Sequence, residues 1–195
     1  MVSAAVQQAS TEIANCLVAG YRNERGIHAE TVIGAAAALA GEFALRSTAS
    51  QLPDSGWVFS PEASELIFGD PGLCDMLRET ALEAGAGEAD MPKPVELSKR
   101  IAGSVGGSPY PPLSVPQHHY PHEWSPNACV KFRVEIERIA AAHQLTKLEV
   151  VVAIVMATQA LIVQAKSALS PAIGATLAME IMGGVSHMAP LKQPV

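Results

Sequence analysis

The sequence predicts an all-α (mainly α) protein, a single-domain helical bundle packed around a buried central helix and crossed by a long Pro-rich loop. Three observations lead there. Apolar residues make up 49% of the 195 but aromatics only 5%, and an Ala-dominated remainder favours helices with close-packed small side chains. Apolar residues recur at three- and four-residue spacing through most of the chain. The stretch Val150 to Val163 has no charge and only Thr158 and Gln159 as polar side chains, the composition of a helix covered on most sides. A chain of this length buries roughly 70% of its unfolded surface, so residues 1–195 are read as one domain of seven or eight helices.

From Ser3 to about Asn23, Val6, Ala9, Ile13, Cys16, Leu17 and Tyr21 take one helical face, and Gln7, Gln8, Glu12 and Asn15 the other. Gly26 ends this helix, and His28-Ala-Glu-Thr opens a second that runs to about Arg46. That helix carries two adjacent stripes, Val32, Ala36, Leu39, Phe43 and Ile33, Ala37, Ala40, Ala44, extended by Gly34, Ala38 and Gly41. A mid-helix Gly costs ~1 kcal/mol relative to Ala, so close approach of neighbouring backbones is the expected compensation. Ser47 to Phe59 reads as a loop, with Trp57-Val58-Phe59 as an anchor or brief strand.

Ser60-Pro61 and Asp70-Pro71 start two short helices, the second ending near Glu83, and Ala84 to Pro94 reads as flexible linker before a helix over 95–102. Gly103 to Pro126 holds three Gly and six Pro, too many for regular structure. Val130 to Ile136 alternates like a strand, but Cys129, Phe132, Ile136 and Ile139 also fit a helical face, and Lys131/Glu135 and Arg133/Glu137 are opposite charges at i,i+4. Helix over 126–143 is the reading chosen. After a short turn, Thr146 and Glu149 form a capping box at the head of the Thr146–Leu169 helix, which is expected to be the centre, in antiparallel hairpin with 126–143. Ser170-Pro171 then opens a last helix reaching about Val185.

Net charge is −6 and the cationic residues are scattered, so neither a nucleic-acid partner nor an anionic membrane surface is expected. Cys16, Cys74 and Cys129 are odd in number and far apart; they read as core thiols of a cytoplasmic, reducing compartment. The N-terminal stretch lacks a positive n-region, which argues against a signal peptide. The 146–169 helix comes nearest to a membrane span but carries Glu149, Thr158, Gln159 and Gln164.

The densest chemistry lies in Pro116-Gln-His-His-Tyr-Pro-His-Glu-Trp124, where His118, His119, His122 and Glu123 are candidate ligands for zinc or iron. Pro121 interrupts the helical H-E-x-x-H geometry, and the bland reading is a polar loop laid across the bundle by Tyr110, Tyr120 and Trp124. Glu180 sits among Leu177, Ala178, Met179, Ile181 and Met182, where it must face solvent, pair with a cation or line a pocket. His28 and Glu30 open the second helix and His187 follows the last; Thr158 and Gln159 read as satisfied core hydrogen-bonders. Nucleophile-elbow and phosphate-loop patterns are missing, and Gly103 to Ser108 reads as a hinge.

The stretch Gly26-Ile-His-Ala-Glu-Thr-Val-Ile-Gly-Ala-Ala-Ala-Ala-Leu-Ala-Gly41 resembles bacterial proteins of about this length without an assigned function. The resemblance implies an uncharacterised family and transfers no catalytic residues. Two functional expectations follow from the residues: a non-catalytic binding or scaffold protein with a pocket for a small apolar ligand, or a metal-dependent enzyme using His118–Glu123 with Glu30 or Glu180 as base. A homodimer is expected through the Met179, Met182 and Met188 face. The 103–124 loop is expected to be ordered and to border the pocket.

Overall fold

A computed structural model describes residues 2–103 and 113–192. Among them, eight α-helices carry the fold: α1 Ala4–Tyr21, α2 Ala29–Thr48, α3 Pro61–Phe68, α4 Leu73–Glu83, α5 Pro94–Ala102, α6 Asn127–Ala142, α7 Lys147–Ala165 and α8 Pro171–Val185. The starts obey local chemistry. Ser3 accepts from the Val6 N–H at 3.3 Å and Ser60 from the Ala63 N–H at 3.1 Å, ahead of Pro61 at the first position of α3. The predicted capping box holds: the Thr146 N–H donates to Glu149 at 2.9 Å and the Glu149 N–H to Thr146 Oγ1 at 3.3 Å.

The hub is α2, where every residue from Thr31 to Leu45 is buried. It packs most extensively against α7 and α8, with α6, α1 and α3 completing its surroundings. Its glycines make that possible. A Cβ on Gly41 would overlap the Met182 carbonyl oxygen of α8, and one on Gly34 would come within 2.8 Å of Ser125 Oγ. The two small-residue stripes therefore become contact surfaces for different neighbours.

The expectation that α7 is the centre is corrected. Val151, Ile154, Val155 and Leu161 are buried, but Leu148 and Val163 are exposed, and Val152 and Met156 half-buried, along its outer side. A helix apolar all round gives no direction to its burial, so its neighbours decide it. Among the described residues it is the one helix long and apolar enough to cross a membrane, with a mean hydropathy of 2.0 and half of that window buried against the fold. The expected α6–α7 hairpin is corrected too: the helices diverge from their turn at Gln144, whose φ is 55°, and each packs on α1 and α2.

Helix α6 settles the alternating stretch. It buries Cys129, Phe132, Ile136 and Ile139 and leaves Val134 exposed, where a strand would have put Phe132, Val134 and Ile136 on one face. The Met-rich dimer face is also corrected, because Met179 and Met182 are completely buried within the chain under α2, α4 and α5. The expected linker at 84–94 is ordered: Met91 enters the core and Glu88 pairs with Arg78 at 2.9 Å. Trp57 forms a single antiparallel bridge with Met188, which ties the 49–60 loop to the residues after α8.

Candidate functional site

The site grows from the N-terminus of α2 and the segment 113–126, which lies across it as a strap. Gln117–His119 is one tight helical turn, Val115 is buried, and Tyr120 Oη donates to the Leu113 carbonyl at 2.8 Å. Tyr110 and the 104–108 part of the expected hinge lie outside the described residues. The side of α2 at Gly34 is narrow enough to admit Pro121, Ser125 and Ile181 together, so the small-residue pattern of α2 also seats the strap.

Hydrogen bonds then run between the two segments. The His122 N–H donates to Thr31 Oγ1 at 3.0 Å, Thr31 Oγ1 lies 2.8 Å from His28 Nδ1, His28 Nε2 lies 3.3 Å from Glu30 Oε2, and His119 Nδ1 lies 2.8 Å from Glu30 Oε1. Neutral His28 with its proton on Nε2 satisfies this chain at every link, since Nδ1 accepts from the threonine hydroxyl while Nε2–H donates to Glu30. The electrostatics agree. Burial is the main force pushing the His28 imidazole below its ordinary pKa, helped by the nearby His122 and His119 and opposed by Glu30. Burial alone would raise the Glu30 carboxyl, but the hydrogen bond from His119, its own backbone N–H and the adjacent imidazoles outweigh that and hold it below the usual range.

The four sequence candidates point to four partners. His119 takes Glu30; His122 stacks on His28 with ring centroids 3.5 Å apart; His118 is exposed and lies against the His119 ring at 4.2 Å. Glu123 accepts from the Tyr21 hydroxyl, whose pKa is raised by burial first and by that carboxylate second. Among the described residues, no group of three or more His, Cys, Asp or Glu side chains is spaced to hold a metal ion. His119 and His122 are brought to the head of α2, while the exposed His118 lies against His119.

Beside this network a cavity of about 300 Å³ opens between the strap and α8. Leu113, Tyr120, Trp124, Pro126 and Ile181 give it an apolar lining, with His122, Glu123 and Ser125 as its polar members. Glu180, whose fate the sequence left open, is buried and pairs with Arg100, and accepts from the Ser114 N–H at 2.9 Å, so it anchors the start of the strap. His187 is buried between Gly183 O at 2.9 Å and Ser64 Oγ at 3.2 Å, joining α3 to the end of α8. Gln159 donates to Met76 O at 2.9 Å and Thr158 to Ile154 O at 2.9 Å, which satisfies both.

Sequence reasoning passed over Glu42. Only 2% exposed in the middle of α2, it accepts from Arg133 at 2.5 and 2.8 Å and from Arg46 at 3.3 Å. Removing one member of such a buried set costs about 3–5 kcal/mol because the other charge is left unpaired. The readable signal was a lone carboxylate inside a continuous apolar run with Arg46 four residues on.

No family model, curated protein or solved structure matches the chain.

Proposed function

We propose that this is a non-catalytic binding protein that takes a small, mainly apolar ligand in the cavity between the 113–126 strap and α8. The observation that carries the reading is the cavity of about 300 Å³ with its apolar lining and few polar members, at the lower end of the size range of small-molecule sites. The neighbouring titratable groups support binding over chemistry. Both nitrogens of His28 and both oxygens of Glu30 are engaged by other protein groups, so the part of these two residues in this reading is to hold the strap in position beside the cavity. A cytoplasmic location belongs to the same proposal, supported by three free cysteines, two of them buried.

Ligand-observed NMR against a library of small apolar fragments tests it. Binding is expected to wild type and to be lost in Leu113→Trp, which fills the cavity. Trp124→Ala is expected to weaken it without unfolding the chain, because Trp124 is 48% exposed. A library without one Leu113-sensitive binder overturns the proposal, and stoichiometric zinc or iron in tag-free protein would replace it with the metal-dependent enzyme.

A further inference from the structure

The divergence of α6 from α7 leaves a second, larger cleft of about 550 Å³, closed on its third side by the end of α2 and the residues after it. Phe43, Ala140, Leu145 and Val150 form its apolar floor, and Arg46, Lys147 and Glu137 are its charged members. Lys147 is exposed on the first turn of α7. Arg46 lies 5.6 Å over the Phe43 ring, so its guanidinium sits where the apolar floor meets solvent. Its Nη2 holds the exposed carboxylate of Glu137 at 2.9 Å, while its Nη1 reaches Glu42 at 3.3 Å, a group already held through both oxygens by Arg133. Two cations thus face one carboxylate around an apolar basin, on a chain whose net charge is −6.

We infer that this cleft binds an amphiphilic carboxylate, with the aliphatic body on the Phe43–Val150 floor and the carboxylate on Arg46 and Lys147. Glu137 shows which group fits. It places a carboxylate on the outer edge of the Arg46 guanidinium, whose N–H groups donate to it. A bound ligand's carboxylate takes the place of Glu137, which is 46% exposed and turns to solvent at little cost. The site is separate from the strap cavity, so either can fail alone.

Isothermal titration of the full chain with sodium octanoate, and with octanol as the uncharged control, provides the test. Octanoate is expected to bind one site at least about tenfold more tightly than octanol. Lys147→Gln and Arg46→Gln are each expected to weaken octanoate several-fold, and Glu137→Gln to tighten it several-fold by removing the internal competitor. Leu145→Trp should fill the cleft and abolish binding, with unchanged circular dichroism. Equal affinities for octanoate and octanol, no binding in the millimolar range, or no tightening in Glu137→Gln would each overturn the inference. The Glu137 arm separates charge competition from structural damage, since a loosened fold that exposes apolar surface would bind octanol more tightly as well, whereas removing the competing carboxylate tightens octanoate alone.

Discussion

At the scale of single residues, the strap is held against His28 and Glu30 at the head of α2, and the sign of the pH effect follows from the direction of their shifts. The folded pKa of His28 lies below its ordinary 6.5, so on acidification the unfolded chain takes up the proton first. Stability is therefore present above about pH 6.5 and is lost as pH falls toward the lower folded value. Glu30, also held below its ordinary 4.5, adds a further loss as pH drops below that value. Urea midpoints measured between about pH 7 and pH 5 should fall, and His28→Gln should flatten that slope; an unchanged slope would show that His28 does not carry it. The histidines of the strap and His28 and Glu30 at the head of α2 were legible as residues. Their pairing was not, because 89 positions separate His119 from Glu30 and only the fold places a loop beside a helix start.

At the scale of elements, two glycines in long helices make opposite predictions. In α2, Gly41→Ala would gain about 1 kcal/mol of helix propensity, yet the new Cβ overlaps the Met182 carbonyl oxygen, a backbone atom that cannot turn aside. A net loss of about 1–3 kcal/mol is expected, as for other overpacked cores. In α8, a Cβ on Gly174 meets Ile162 at 3.5 Å, an ordinary contact, so Gly174→Ala should stabilise by up to about 1 kcal/mol. Chemical denaturation of both variants checks the pair, and equal signs would refute the packing argument. Helix starts were the most legible features, since a Thr–Glu capping box or a Ser–Pro step acts within four residues. Helix α6 was legible from the spacing of Phe132 and Ile136, although Val134 disguised it as a strand.

At the scale of the molecule, the expected homodimer cannot use Met179 and Met182. The apolar stripe left at the surface is the outer side of α7, with Leu148 52% and Val163 41% exposed and Val152 and Met156 between them. A dimer through this stripe should appear by sedimentation equilibrium in wild type and dissociate in a Leu148→Lys, Val163→Lys double variant; a wild-type monomer at micromolar concentration removes it. Local sequence specified the helical class, most helix boundaries, the Ser60 and Thr146 caps, and Glu180 as a charge that had to be paired or exposed, while Glu42 was passed over. These depend on spacing and composition within about one turn of helix, where backbone hydrogen bonding and side-chain periodicity are local. The tertiary structure alone decided that α2 rather than α7 is the hub, that α6 and α7 splay open a cleft, and that the strap's histidines meet Glu30 and His28. For helices apolar on every side, one-dimensional pattern contains no direction, and what lies against each face is settled only by which backbones can approach closely enough to touch.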